Sequence, residues 1–123
     1  MGGGTGGTLI ANRLCRVLGL GTVEIVVIDS DDEHVYQPGL LFVPFGKAEP
    51  GSLIRPRHRQ LRPGVTFRQA AVDRVDSDRN EVLLTDGTSV SYDVLVIATG
   101  ARLVPEETDG LTGLGWTEKV HTF

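Results

Sequence analysis

Five of the chain's 16 glycines lie within its first seven residues, in the run Gly2-Gly3-Gly4-Thr5-Gly6-Gly7. This opening constrains the fold more than anything after it. It contains G-x-G-x-x-G at Gly2, Gly4 and Gly7 and leads straight into Thr8–Leu18. There Leu9, Ile10, Leu14, Val17 and Leu18 recur at helical spacing, and Gly19 and Gly21 supply a stop. Val23–Ile28 follows, β-branched and nearly all apolar, the composition of a strand buried on both faces in a parallel sheet. Asp29 ends that strand 22 residues after Gly7 (29 − 7), close to the ~20-residue spacing of the acid that binds ribose in a dinucleotide fold.

Each part has a physical task. A tight turn needs a residue that tolerates positive φ. The backbone must approach a pyrophosphate closely, where a Cβ would obstruct it, and the helix N-terminus offers free N–H groups and partial positive charge. Asp29 accepts hydrogen bonds from both ribose hydroxyls, and its charge disfavours a 2′-phosphate, which favours FAD or NAD over NADP. A flexible glycine leader before an unrelated helix would not put loop, helix, strand and acid at this spacing. In a complete fold the glycine turn follows a central strand, whereas here Met1 alone precedes Gly2. The expectation is therefore an α/β, Rossmann-like domain with its first strand missing, through a mis-assigned start or as a fragment. That strand would lie between the Val23 and Val94 strands.

Downstream, Asp29–His34 reads as a polar turn and Pro38–Gly46 as an irregular buried loop broken by Pro and Gly. Ser52–Leu61 reads as a short helix weakened by Pro56, and Val65–Arg68 as a short strand. Ala70–Asp76, Glu81–Thr85 and Thr88–Tyr92 are expected to form an antiparallel β-meander, with Ser77-Asp-Arg-Asn80 and the hairpin signal Asp86-Gly87 between them. Val94–Ala98 is wholly apolar and reads as another buried strand, ended by Thr99-Gly100. Beyond it the chain is polar and broken by Gly and Pro, and Trp116 reads as a loop anchor.

The order of glycine loop, helix, strand, meander and a strand closing in Ala98-Thr99-Gly100 resembles the FAD half of the glutathione-reductase-like, two-dinucleotide-binding flavoprotein superfamily. Within it, His34-Val-Tyr-Gln-Pro38-Gly-Leu-Leu-Phe-Val-Pro-Phe-Gly46 is similar to the loop that passes beside the flavin in sulfide:quinone oxidoreductases and type II NADH dehydrogenases. The resemblance covers residues 1–123 as a partial FAD/NAD(P)-binding domain, the N-terminal portion of a longer flavoprotein. It implies FAD pyrophosphate binding at Gly2, Gly3, Gly4, Thr5, Gly6 and Gly7, and ribose binding at Asp29 with Ser30 beside it. It also implies adenine contacts from the backbone near Val72, and flavin-side contacts at Thr99, Gly100 and Ala101. The implied function is a flavoprotein oxidoreductase passing electrons from sulfide or NAD(P)H through FAD to a quinone or another small-molecule acceptor, the fragment alone being inactive. The alternatives are the NAD-binding domain of a dehydrogenase and a non-catalytic truncated remnant. The superfamily's redox cysteines, second dinucleotide domain and membrane segment have no counterpart in these residues, and no residue here is assigned a catalytic role.

Composition narrows the rest. The net charge of −4 argues against a nucleic-acid partner, and a single Cys rules out a disulfide framework. No apolar run approaches the ~20 residues of a membrane span, and no signal peptide is evident. The expected setting is cytoplasmic, with at most peripheral contact at the inner face of a membrane. Residues 47–68 carry six basic and one acidic residue, a net of +5 (6 − 1): Lys47, Arg55, Arg57, Arg59, Arg62 and Arg68 against Glu49. This island, which includes His58, reads as a solvated, arginine-rich turn. Cys15 reads as a packing thiol, and Asp93 as a turn or edge residue. His34, His58 and His121 are too scattered for a metal site. Tyr36 and Gln37 either meet the flavin or substrate, or Tyr36 fills space beneath the loop with Phe42 and Phe45.

Overall fold

The computed structural model describes residues 1–19 and 21–116; His121 lies outside the described residues. Helix α1 spans Thr5–Leu18 and starts three residues earlier than its apolar period suggests, because Gly6 and Gly7 form part of its first turn. Gly19, at φ 80°, ends it and donates its N–H to the Cys15 carbonyl at 3.2 Å. The face carrying Thr8, Ala11 and Cys15 is buried. It packs on β1 (Ile25–Asp29), whose Val27 and Ile28 are buried.

Strand β1 pairs in parallel with β4 (Val65–Gln69), Ile25 lying opposite Val65 and Asp29 opposite Gln69. The Asp29 carbonyl then accepts from Ala70 N–H at 2.8 Å and leads the chain into the meander. Strands β5 (Val72–Asp76), β6 (Glu81–Leu84) and β7 (Ser89–Ser91) form that meander in the expected order. Its first turn places Asn80 in the left-handed region at φ 54°, and the Asp76 carboxylate accepts from the N–H groups of Asp78 and Arg79. In the second, Asp86 Oδ1 accepts from Thr88 N–H at 2.8 Å. The two units meet in a core of Ile28, Val82 and Leu84, against which Val26, Val72, Val75, Val90, Tyr92 and Leu95 pack. These elements make up an α/β, Rossmann-like fold with an attached antiparallel sheet.

Four expectations are corrected. Asp29–His34 is not only a turn: Glu33–Val35 forms β2, antiparallel to β3 (Ile54–Pro56). Ser52–Leu61 is not a helix but a 3-10 turn, strand β3 and a second 3-10 turn at Arg57–Gln60. Pro56 has no N–H for an α-helix and sits at the strand's end. Gln37–Phe45 winds as successive 3-10 turns rather than an irregular loop, and it is not buried: Gly39 is enclosed while Leu41, Phe42 and Phe45 are exposed, Phe45 by 76%. Space filling beneath the loop is therefore not the role of Phe42 or Phe45. Finally, Val94–Ala98 is not a strand. Apolar composition suits a strand only where a neighbour completes the ladder, and among the described residues its backbone is hydrogen-bonded only to Met1. Asp93 is exposed in a bend, as expected of a turn residue, and Trp116 is half-buried, its N–H bonded to Gly113 O at 3.1 Å.

Leu84 is 3% exposed in the shared core. Leu84→Ala is expected to cost about 2–5 kcal/mol in urea denaturation, the range for buried Leu truncation. Leu114→Ala, at a fully exposed position, leaves the midpoint unchanged.

Candidate functional site

The glycine turn folds tightly on itself. Gly2, at φ 88°, donates its N–H to Ile28 O at 2.8 Å, which fastens the turn to the end of β1. A Cβ on Gly2 would lie 2.5 Å from the Ala98 carbonyl carbon and 2.8 Å from Thr99 N, and a Cβ on Gly7 would collide with the Gly2 carbonyl oxygen. Gly2 is required by close backbone approach as well as by its φ, and Gly7 by close approach alone. Gly4 and Gly6 differ: a Cβ on Gly4 meets nothing within 4 Å, and one on Gly6 only Ala98 Cβ at 4.0 Å. The mouth of the turn is thus open on the Gly4 side.

Helix α1 begins at this mouth with no side-chain cap and no acidic residue in its first turn. Thr8 N–H bonds to Gly4 O at 3.0 Å, and the Thr8 hydroxyl, buried, donates to Gly3 O at 2.9 Å. The preceding helix amides have no acceptor among the described residues. This leaves a cluster of free donors with partial positive charge facing open space.

Asp29 reaches back from β1 to the same turn. Its Oδ2 accepts from Gly3 N–H at 2.6 Å, while Oδ1 lies 3.4 Å from the Ser30 hydroxyl. The sequence-derived residues therefore separate into two groups. Gly2, Gly3, Gly4, Thr5, Gly6, Gly7, Asp29 and Thr99 converge on one turn. Val72 stands at the start of β5, three residues past Asp29's partner Gln69 and in the core packed on Ile28. Gly100, at φ 72°, and Ala101 continue outward from Thr99, both exposed, and Ser30 is exposed beside Asp29. Cys15 is buried under α1, with Sγ 3.6 Å from Pro63 O, in keeping with a packing thiol.

Arg57 is the residue that the sequence reading placed wrongly. It is 7% exposed rather than solvated. Its Nη2 donates to Asp31 Oδ1 at 2.8 Å and to Glu33 O at 2.5 Å, its Nε donates to Asp31 O at 3.2 Å, and its Nη1 lies 3.5 Å from Asp29 Oδ2. Its stem lies against Gly3, where a Cβ would strike Arg57 Cδ. The neighbouring His58 N–H donates to Asp32 Oδ1 at 2.9 Å, and His58 Nδ1 lies 2.5 Å from Asp32 Oδ2. The signal was present as charge complementarity: three aspartates in Asp29–Asp32 and the basic island share no sequence proximity, but their signs match.

These contacts shift the acids. The Arg57 guanidinium, followed by the Glu33 N–H, holds Asp31 below the usual carboxylate range, and the His58 N–H does so first for Asp32. Among the described residues no cluster of three or more His, Cys, Asp or Glu is arranged for a metal, and no helix is long and apolar enough to cross a membrane.

The family model for pyridine nucleotide-disulphide oxidoreductases matches residues 1–123. The chain belongs to this family. It is 33% identical over 111 residues to the mitochondrial sulfide:quinone oxidoreductase of Mus musculus, covering 90% of this chain and 24% of that protein. It is 35% identical over 122 residues to the demethylphylloquinone reductase NdbB of Synechocystis sp., covering 94% of this chain and 30% of that protein. The X-ray structure of the sulfide:quinone oxidoreductase from Aquifex aeolicus superposes with a TM-score of 0.71 at 26% identity, covering 84% of this chain and 24% of that one. The chain thus spans about a quarter to a third of the length of these relatives. The family membership and the α/β fold agree with the sequence-derived resemblance.

Two outcomes follow for the site. Gly7→Ala forces a methyl into the Gly2 carbonyl and is expected to lower the thermal midpoint by several degrees, whereas Gly4→Ala at an open position leaves it within a degree or two; differential scanning calorimetry separates them. The lowered carboxyl pKa values of Asp31 and Asp32 stabilise the fold above the unfolded carboxylate value of about 3.9 and are lost as pH falls through their folded values. Arg57→Lys, which cannot reproduce the planar fork, is expected to weaken the Asp31 component of this acid-side loss in denaturation curves between about pH 2 and 5.

Proposed function

We infer that the turn at Gly2–Gly7 binds the pyrophosphate of FAD, with Asp29 at the ribose, Ser30 beside it, the Val72 backbone at the adenine side, and Thr99, Gly100 and Ala101 toward the flavin. The observation that carries this reading is the pairing of open, uncapped amides at the head of α1 with a carboxylate anchored 2.6 Å from Gly3 N. Donors with no acid in the first helical turn suit a diphosphate, and Asp29 Oδ1, held only by the long 3.4 Å contact from the Ser30 hydroxyl, is the oxygen that would accept from a ribose hydroxyl. The residues fit the group: bulk is excluded at Gly2 and Gly7, where backbone meets backbone, and room remains at Gly4.

FAD, when bound, supplies two-electron redox chemistry. This chain's own residues bind and orient it. The helix amides hold the phosphates, Asp29 fixes the sugar and disfavours a 2′-phosphate, and Arg57 holds Asp29 and the following turn in place. The 1–123 segment is read as the N-terminal portion of a longer FAD domain, in a flavoprotein oxidoreductase that takes electrons from sulfide or NAD(P)H and delivers them to a quinone-type acceptor. In support, both curated relatives carry a quinone in their names. The antiparallel meander and the Ala98-Thr99-Gly100 ending favour FAD over NAD.

The test is a fluorescence-quenching titration of the chain with FAD, NAD and NADP. FAD is expected to bind most tightly. Gly4→Val, whose Cβ meets no protein atom within 4 Å and whose methyls enter the mouth of the turn, is expected to weaken it at least tenfold while leaving the circular dichroism spectrum unchanged. NAD binding as tightly as FAD, or a Gly4→Val chain that keeps full FAD affinity, would overturn the assignment.

A further inference from the structure

The fold carries a second arginine of the basic island to another element. Arg62 is held at the flank of α1 by Asn12, whose Oδ1 accepts from Arg62 N–H at 2.8 Å and whose Nδ2 donates to Gln60 O at 2.8 Å. One residue on, Pro63 O lies 3.6 Å from Cys15 Sγ. Helix α1 and residues 60–63 are thus pinned side by side, and a groove of about 450 Å³ lies between them. Its walls run from Thr5 to Arg16 along the helix, 11 residues (16 − 5) or about 16 Å.

Arg13 and Arg16 line this groove from α1, and Arg62 lines it from the other side. All three are exposed, and among the described residues none of their guanidinium groups has an acidic partner. Arg57, Arg68, Arg74 and Arg79, by contrast, each face a carboxylate. The chain has acids to spare, 16 against 12 basic residues, yet the first of them is Glu24. Helix α1 therefore has none of the acids three or four residues away that offset arginines on a solvated helix face, and Arg13 and Arg16 at that spacing repel each other. No Asp or Glu lines the groove among the described residues. A second observation points the same way. Gln60 is also part of the wall, and its amide Nε2 is enclosed with no acceptor among the described residues. An enclosed donor without a partner is costly, and an anionic oxygen at this wall supplies what it lacks.

We propose that this groove binds a small molecule carrying two or three linked phosphates, at a site separate from the glycine turn. The charge sets the class. One phosphate group carries about −1.5 to −2, so a diphosphate or triphosphate is the smallest ligand that neutralises three guanidinium groups. Each guanidinium fork takes two oxygens of such a ligand. The volume falls in the ~300–1,000 Å³ range of small-molecule sites. A nucleotide and a free polyphosphate share this chemistry. Of the residues named here only Thr5 belongs to the glycine turn, so the site stands whether or not that turn holds FAD.

The test is isothermal titration calorimetry of the full chain with inorganic tripolyphosphate, at the physiological ionic strength that screens exposed charges beyond about 8 Å. Saturable binding is expected. Arg16→Gln and Arg62→Gln are each expected to weaken it roughly tenfold, the loss of one charge-assisted hydrogen bond, with unchanged circular dichroism. Arg79→Gln, on the meander, is expected to leave it unchanged. Equal loss with Arg79→Gln, or no loss with the groove variants, refutes the proposal, since charge attraction alone then accounts for the binding. Binding that Gly4→Val abolishes and the groove variants keep assigns the phosphates to the glycine turn and also refutes it. Citrate binding as tightly as tripolyphosphate overturns the ligand class. On the Gly4→Val chain, ADP binding more tightly than inorganic pyrophosphate supports the site with a nucleotide as its ligand, and the reverse order supports it with free polyphosphate.

Discussion

The hydrogen bond from Gly3 N–H to the Asp29 carboxylate ties together everything that makes this end of the molecule a site. It joins the first turn of the chain to the last residue of β1, and so makes the direction of α1 depend on that of the sheet. It also orients a negative group beside a helix head that has none of its own. Without it the Gly2–Ile28 backbone bond alone, among the described residues, ties the glycine turn to β1 by hydrogen bonding. A glycine-rich segment has the largest backbone entropy to lose on ordering, so such long-range contacts decide whether the turn has one shape or many.

The same carboxylate is restrained from behind. Arg57 lies under Gly3 and reaches Asp29, Asp31 and the Glu33 carbonyl from one planar group. A buried guanidinium left unpaired would be costly, and here most of its donors have acceptors within the 29–33 turn. The arrangement explains why that turn can carry three aspartates in four residues: their repulsion is offset by the arginine inside, and Asp32 at the edge accepts from the His58 backbone N–H.

Much of this was legible in the sequence, and the failures share a cause. The glycine turn, α1, β1, β4, the meander and Asp29 were readable because each is specified locally, by period, β-branching, turn residues or spacing. Strands β2 and β3 were not, since Glu33-His34-Val35 and Ile54-Arg55-Pro56 are too short to show a period and pair across the 18 residues from 36 to 53, most of them in 3-10 turns. Arg57 was read as solvated because arginine is rarely buried without a partner, and its partners lie 24–28 residues away. At the site, the glycines and acid were found by motif, whereas the residue that positions them could be found only from the fold.

Val94–Ala98 marks the limit of local reading. Its composition is that of a buried strand, yet among the described residues the segment makes ladder bonds at one residue only, Met1. Strand character belongs to a pair, since the backbone groups of an extended segment are satisfied from outside it. Ile97 and, on the facing helix, Ile10, Leu14 and Leu18 stay partly exposed for a related reason: no described element packs over them.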